Sequence, residues 1–262
     1  MNKKIFFRKM KFYQIISLLF LSVTALNAQG FDWQYSARLP FETPRFYWGF
    51  NAQIGLQSSN GKISFVENTV QCQDFKDAAG NNYSLGVNFE YWEKQNRYAF
   101  QAILQYGFNT IASKSTDFVP YSNTLIAEFE NKLNINFSQI NLKAGGKYRV
   151  AQTHFNIGAD LALSFVILND FNITERIVGP PEIPPFTGTP NSYEREVLNG
   201  QISSFTPLQF YSEINIGYDI DIGIGMYLEP KLTISFPITS MFSGAKVSNH
   251  LTSLGLRFYK KF

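Results

Sequence analysis

The stretch that decides the fold is the end of the chain, residues 254–262, which reads Leu254-Gly255-Leu256-Arg257-Phe258-Tyr259-Lys260-Lys261-Phe262. Its large apolar residues mostly share one parity, namely Leu254, Leu256, Phe258 and Phe262. Successive side chains of a strand point to opposite faces, so one face of this segment is apolar and the other is mainly polar. We expect the segment to be the final strand of a transmembrane β-barrel.

Residues 1–28 have the layout of a secretory signal peptide. A basic start precedes an apolar stretch at 15–23, which is too short to span a bilayer, and Ala25-Leu26-Asn27-Ala28 fits a small-x-small cleavage site. We therefore expect export, a periplasmic segment at 29–45 and an outer-membrane barrel at 46–262. Without the five basic residues of the signal, the 23 basic residues fall to 18 against 20 acidic ones, and the net charge of +3 becomes −2. This balance does not favour nucleic-acid binding, and the single Cys72 cannot form an internal disulfide.

Alternation of apolar and polar residues recurs in eight segments, most of them close to the roughly 10 residues that a tilted membrane strand needs. The predicted strands are 46–57, 83–92, 97–109, 132–150, 154–167, 208–220, 222–236 and 249–262. In the fourth strand the apolar parity changes between Phe137 and Ile140, and we expect a β-bulge near Ser138 and Gln139 that restores the facing. Pro230 predicts weak local pairing in the seventh strand.

The connections between these strands alternate strictly in length. Tight connections are predicted at 93–96, 151–153 and 219–221, and long ones at 58–82, 110–131, 168–207 and 237–248. Short periplasmic turns and long external loops are typical of an all-β, eight-stranded antiparallel transmembrane barrel of the up-and-down type. Both ends of the barrel domain then lie on the periplasmic side.

A soluble barrel of the lipocalin type would give the same alternation with its apolar face inward. Two features favour the membrane barrel. The polar face is rich in Gly, Asn, Gln and Ser, with few charges, unlike a solvated surface. The apolar face carries aromatic residues near the periplasmic strand ends, which predict an aromatic girdle formed by Phe46, Trp48, Tyr91, Tyr98, Tyr148 and Tyr218.

The signal, the eight strands, the stretch Ile140-Asn141-Leu142-Lys143-Ala144-Gly145-Gly146-Lys147-Tyr148-Arg149 and the terminal Leu-x-Leu-x-Phe-x-x-x-Phe carry a family resemblance. Over 46–262 the chain resembles the outer-membrane β-barrel domain family of Bacteroidota, called PorT-like, and the small OmpA-like barrels. The resemblance implies an outer-membrane location and implies no chemical activity. It also implies that Leu254, Leu256, Phe258 and Phe262 form the signal read by the barrel-assembly machinery.

Inward-facing charges fall at similar depth when positions are counted from the tight turns. We expect a lumen network formed by Lys143, Asp160, Glu213, Glu229, Lys231 and Arg257. An eight-stranded barrel is just wide enough for side chains to fill, and unpaired buried charges are costly. The pattern therefore predicts a plugged lumen, with an ion path as the alternative.

The sequence shows no pattern that requires a catalytic centre, a metal or a cofactor. His154 is expected at a tight turn and His250 at the outer end of the last strand, near Ser248 and Ser253, but no acidic residue adjoins them. Glu67, Asp74 and Asp77 are acidic residues of the first long loop, where a solvated loop and a cation site are both open.

We expect a non-enzymatic outer-membrane protein that acts structurally or through its surface loops and has membrane lipid as its surroundings. The proline-rich loop 168–207 is the expected site for a surface ligand or partner protein. A lipid A-modifying enzyme, a small porin and an accessory component of a secretion system remain as alternatives.

Overall fold

The computed structural model describes residues 46–67, 70–93, 97–122, 125–150, 153–179, 183–186 and 192–261. The predicted signal peptide 1–28, the segment 29–45 and Phe262 lie outside these ranges. The described residues include no helix of the length and hydrophobicity that crossing a membrane requires.

The described residues form ten β-strands and no helix. They are β1 Phe46–Glu67, β2 Val70–Trp92, β3 Tyr98–Ser122, β4 Leu125–Arg149, β5 Phe155–Gly179, β6 Glu194–Gly200, β7 Leu208–Tyr218, β8 Ile220–Gly223, β9 Met226–Pro237 and β10 Ser248–Lys261. Antiparallel pairing runs in the order β1-β2-β3-β4-β5-β7-β9-β10, and β10 pairs back onto β1 from Tyr47↔Lys261 to Asn60↔Ser248. The predicted eight-stranded antiparallel barrel is confirmed, with β6 attached to β5 and β8 to β9.

The faces of the strands follow the predicted alternation. In β7, Gln209, Glu213 and Asn215 are buried in the barrel, whereas Phe210 and Ile214 are exposed on the outside. The same arrangement places large apolar side chains on the exterior and polar ones in the lumen around the ring. A barrel with this facing is inverted relative to a soluble one.

The tight connections lie at one end of the barrel, here called the turn end. Backbone hydrogen bonds close two of them, from Glu93 N–H to the carbonyl of Tyr98 (3.0 Å) and from Val150 N–H to that of Phe155 (2.9 Å). The third prediction, a corner at 219–221, is wrong. The chain continues as β8 and turns at Ile224 and Gly225, where Gly225 adopts a φ of 66° that suits glycine.

The long connections at the opposite end, the hairpin end, are mostly strand. β1 and β2 stay paired up to Glu67↔Val70, and β3 and β4 up to Ser122↔Leu125. β3, β4 and β5 each have 25 residues, more than twice the ~10 needed to cross a membrane. The predicted strand bounds were therefore too short at this end, because the strands continue where the outward residues have become polar.

The predicted irregularity near Ser138 and Gln139 is present. The expectation that it keeps the apolar residues of β4 on one face is wrong. The β4–β5 register shifts between Ser138 and Gln139, and Ile167 of β5 is the extra residue. The inward parity of β4 nevertheless stays odd throughout, so Leu133, Ile135 and Phe137 are buried inside the barrel. The apolar residues change faces because the lumen itself becomes apolar towards the hairpin end.

The ladder between β7 and β9 is interrupted opposite Pro230. Pairing runs from Tyr211↔Pro237 to Gly217↔Lys231 and resumes in β8 at Ile220↔Leu228. Proline lacks an amide hydrogen, so it cannot donate a ladder hydrogen bond. The weak pairing predicted at Pro230 is found on this side, whereas β10 remains paired with it through Leu256.

Candidate functional site in the barrel lumen

The lower part of the lumen, towards the turn end, holds a cluster of buried charges centred on Arg257 and Lys147. The Arg257 guanidinium contacts Glu90, Glu229 (3.2 Å) and the side-chain oxygen of Gln101 (3.0 Å). The Lys147 ammonium lies 3.0 Å from Glu229, 3.4 Å from Glu90 and 3.5 Å from Asp219. Each cation is thus shared among several carboxylates, the arrangement that offsets the cost of removing charges from water.

Two further ion pairs lie above this cluster. Lys143 donates to both carboxylate oxygens of Glu213 at 2.9 Å, and Ser235 donates to the same carboxylate at 2.9 Å. Lys231 lies 3.8 Å from Asp160, whose carboxylate also accepts hydrogen bonds from the side-chain amides of Gln101 and Asn215. All four charged side chains are buried.

The structure brings the six predicted lumen charges into one column, and four charged residues that sequence reasoning missed complete it. Glu90 and Lys147 have the inward parity of their strands but lie closer to the turns than the predicted depth. Asp219 was predicted to lie in a tight turn at 219–221. In the structure it is buried, and its carboxylate lies 2.8 Å from the Arg149 guanidinium. The column contains five acidic and five basic residues, namely Glu90, Asp160, Glu213, Asp219, Glu229, Lys143, Lys147, Arg149, Lys231 and Arg257. Its formal charge is therefore zero.

Glycines on neighbouring strands make room for the long side chains of the column. A Cβ placed on Gly217 would collide with the Glu229 carboxylate, and one on Gly145 would collide with Asp160. A side chain of the column lies flat over the adjacent glycine, so the lumen can hold several large polar groups at one level.

An aromatic cluster closes the column at the turn end. The rings of Tyr47, Tyr227 and Tyr259 lie 5.5–5.8 Å from one another, and the Tyr259 hydroxyl donates to Asp219. The Arg149 guanidinium stacks 4.3 Å from the Trp92 ring, whose N–H donates to Glu90 at 3.2 Å. Aromatic and ionic groups together fill this mouth of the barrel.

A second, apolar cluster fills the lumen at the hairpin end and is here called the apolar cap. Its walls are inward residues of β1 to β5, and its filling comes from the segments 201–207 and 238–247. Its buried members are Ile63, Phe75, Ala78, Ile111, Leu133, Ile135, Phe137, Phe171, Ile173, Ile202, Phe205, Met241, Phe242 and Val247. The Phe205 ring lies 5.1 Å from Phe137 and 5.3 Å from Phe242. The two segments are joined by hydrogen bonds from Thr206 N–H to Met241 (2.9 Å) and from Ser243 N–H to Ser204 (2.8 Å).

The predicted girdle residues lie on the outer face near the turn end. The Phe46 and Tyr91 rings are 4.9 Å apart, and those of Tyr98 and Tyr148 are 5.2 Å apart. Trp48 is exposed and Tyr218 is partly buried, with the His154 ring 5.8 Å away. Of the predicted assembly residues, Leu254 and Leu256 are exposed on the exterior, Phe258 is half-buried, and Phe262 is outside the described residues.

The two histidines lie at opposite ends of the barrel, and of the two serines considered with His250 only Ser248 shares its outward face. His250 has outward parity and packs 6.2 Å from the Phe236 ring, whereas Ser253 is buried in the lumen on the opposite face of β10. Burial, together with the Arg149 guanidinium, lowers the pKa of His154 at the turn end. His154 is therefore predominantly neutral at pH 7.

The acidic residues that the sequence places in the first long loop belong to the β1–β2 hairpin of the structure. Asp74 forms an ion pair with Lys62 at 2.6 Å in the β1–β2 hairpin, and Asp77 sits at a positive φ of 51° in the register shift of that hairpin. The Glu67 side chain is outside the described residues. Within the ranges that the structure describes, no group of three or more His, Cys, Asp or Glu could hold a metal ion.

The described residues of the proline-rich segment pack against the sheet. Ile183 is buried with Ala127 and Ile177, and the Phe186 ring lies 6.3 Å from Phe129 and under the Arg195 guanidinium at 4.3 Å. Tyr193 remains exposed. Pro180, Pro181 and Pro190 are outside the described residues.

No family model matches this chain, and no curated protein matches it either. Among solved structures, it is similar to Ail of Yersinia pestis in complex with the heparin analogue sucrose octasulfate, with 10% identity, 82% of this chain and 99% of that one covered, and a TM-score of 0.33. It is similar to Neisserial surface protein A, with 13% identity, 83% of this chain and 97% of that one covered, and a TM-score of 0.36. It is also similar to the Escherichia coli outer membrane protease OmpT, with 11% identity, 84% of this chain and 98% of that one covered, and a TM-score of 0.37. These similarities assign no function to the chain.

Proposed function

We propose that this chain is a non-enzymatic outer-membrane β-barrel protein whose lumen is closed and which acts structurally or through its hairpin-end surface. The exterior supports membrane insertion. On β3 the outward residues Phe100, Leu104 and Phe108 are exposed, and polar residues such as Lys114 follow. Counted from Tyr98 to Phe108 and corrected for tilt, this band is about 25 Å tall, the height of the apolar band of outer-membrane barrels.

The observation that carries the proposal is the filled lumen. A neutral column of paired charges and the apolar cap follow one another along its axis, and their side chains are buried. Steady ion flow needs a continuous wet path, which such packing does not offer. A small porin is therefore the less favoured function.

Single-channel recording from the purified protein in a planar bilayer tests this function. We expect no steady conductance above the bare bilayer at moderate voltage. Steady openings of the size seen for general porins, in a preparation with heat-modifiable mobility as a check on folding, would contradict the proposal.

The facing of β10 supports a role without catalysis. His250 and Ser253 point to opposite faces, so they cannot form a nucleophile and base pair. Ser248 shares the outward face of His250 but has no acidic residue beside it in the sequence. Mass spectrometry of lipid A from cells with and without the gene checks this point. We expect identical lipid A species, whereas a mass shift that depends on the gene would favour the lipid-modifying enzyme.

In this proposal the turn end faces the periplasm, the barrel-assembly machinery inserts the chain, and membrane lipid covers the exterior band. The extended strands β3, β4 and β5 then rise above the membrane. Their outward face carries Lys114 paired with Glu130 at 3.0 Å and Asn136 bonded to Asp170 at 3.1 Å. A surface ligand or partner protein would meet this sheet and the exposed Tyr193 of the segment 168–207.

A further inference from the structure

The middle of the lumen differs from both of its ends. Between the Arg257–Lys147 cluster and the apolar cap, most inward residues of the wall strands are uncharged and polar, and the Lys143–Glu213 pair lies among them. On β3 the uncharged residues are Gln105 and Asn109, between Gln101 and Ile111, and on β4 they are Asn141 and Gln139, between Lys143 and Phe137. On β10 the residue at this level is Ser253, paired with Thr233 of β9. This layer is here called the polar chamber.

The polar chamber contains buried polar atoms that no protein group satisfies. They are the side-chain oxygens of Gln57, Gln105, Gln139, Thr233 and Ser253. Each of these residues is at most 7% exposed, so bulk solvent does not reach them. Buried polar atoms in native proteins are almost always hydrogen-bonded, to protein or to internal water. Five such atoms between the Arg257–Lys147 cluster and the apolar cap point to a polar ligand, and water, which makes two to four hydrogen bonds, fits the mixture of amide and hydroxyl groups.

Two seals of different chemistry isolate this layer. Towards the turn end, the shared cations Arg257 and Lys147 and the tyrosine cluster fill the lumen. Towards the hairpin end, Phe205 and Phe242 are held by the paired segments 201–207 and 238–247. These segments are connections between strands of the barrel, so the apolar cap can be altered without changing a wall strand.

We propose that the polar chamber is an occluded site for ordered water, closed by two independent seals, of which the apolar cap is the outer one. This inference rests on the proposed closed lumen. Removing the outer seal should open the chamber to solvent from the hairpin end while the charged column still blocks ions. Removing it should therefore raise access to the chamber without producing conductance.

Cysteine accessibility tests the outer seal. In a Cys72→Ser background, Ser253→Cys is expected to react slowly with a water-soluble methanethiosulfonate reagent added at the hairpin end. Adding Phe205→Ser and Phe242→Ser should raise that rate at least tenfold. Leu254→Cys is the matched control on the lipid face, and its rate should not change.

Planar-bilayer recording of the variant with Phe205→Ser and Phe242→Ser shows whether ions pass once the apolar cap is removed. A closed lumen with faster labelling supports two seals. An unchanged labelling rate, or steady conductance in the cap variant, overturns the inference. Conductance in the wild type would instead contradict the proposed function.

A measurement on the unaltered lumen covers the case in which the cap variant does not fold. Oxygen-17 relaxation dispersion of the wild type in micelles should detect long-lived internal water. The variant with Thr233→Val and Ser253→Ala should hold fewer such molecules. A wild type without long-lived water overturns the inference.

Discussion

Arg257 is the residue on which the charge balance of the lower lumen most depends. It contacts the carboxylates of Glu90 and Glu229 through the same terminal nitrogen of its guanidinium, and it is 2% exposed. Lys147 contacts the same two carboxylates. Deleting either cation would leave two acidic groups sharing the one that remains.

Arg257→Ala should lower the free energy of unfolding by about 3–5 kcal/mol, the cost of removing one partner from a buried pair. The matched control is Lys114→Ala, which breaks the exposed pair with Glu130 and should cost about 0–1 kcal/mol. Urea unfolding from vesicles measures both. Equal stabilities of the two variants would show that the column does not hold the barrel together.

Gly217→Ala tests the packing of the column without removing a charge. The added methyl group meets the Glu229 carboxylate, so we expect a loss of about 1–3 kcal/mol from overpacking. Gly146→Ala is the control, because its added methyl group meets only the carbonyl of Ala99 at 3.9 Å. The same unfolding assay should rank Gly217→Ala clearly below Gly146→Ala, and the reverse order would contradict the packing described.

At the scale of the elements, alternation predicted all eight strands of the ring, because a period of two follows from strand geometry alone. Alternation does not reveal which parity faces inward where the lumen is itself apolar. Leu133, Ile135 and Phe137 were therefore assigned to the lipid face, and they are the wall of the apolar cap.

Turn positions were the second weak point of the sequence. Asp219 and Asp221 resemble turn residues, but Asp219 is an inward group that binds Arg149. Because depth was counted from that corner, Glu229 was placed above its true level, which is that of Asp219 and Arg257. The partners of each cation could not be predicted, since they depend on registers between strands that are distant in sequence.

The position of an outward residue along β5 should determine how much an introduced charge destabilises the barrel. Leu161 and Val178 both point outward and are exposed, at 66% and 54%, but only Leu161 lies within the apolar band. Leu161→Arg should cost roughly 2–4 kcal/mol, and Val178→Arg about 0–1 kcal/mol. Unfolding from defined vesicles compares them, and similar costs would mean that the band is not in lipid.

At the scale of the whole molecule, the lumen is a stack of layers with different chemistry. Tyrosines, paired charges, uncharged polar groups and the apolar cap follow one another from the turn end to the hairpin end. The exterior changes from an apolar band to a mainly polar surface, on which Phe118, Ile126 and Val178 are also exposed. The two faces of one strand therefore change their chemistry independently. Along the 25 residues of β4, from the turn end to the hairpin end, the inward face changes from polar to apolar and the outward face changes from apolar to polar.

A nitroxide scan of residues 157–165 on β5, in a Cys72→Ser background in vesicles, tests this arrangement most directly. Electron paramagnetic resonance measures the collision of each label with oxygen, which enriches in lipid, and with a water-soluble nickel complex. We predict that odd positions are accessible to oxygen and that even positions are shielded from both. Nickel access at the even positions would reveal an open, water-filled lumen, and nickel access at the odd positions would place the exterior in water; either result contradicts the account.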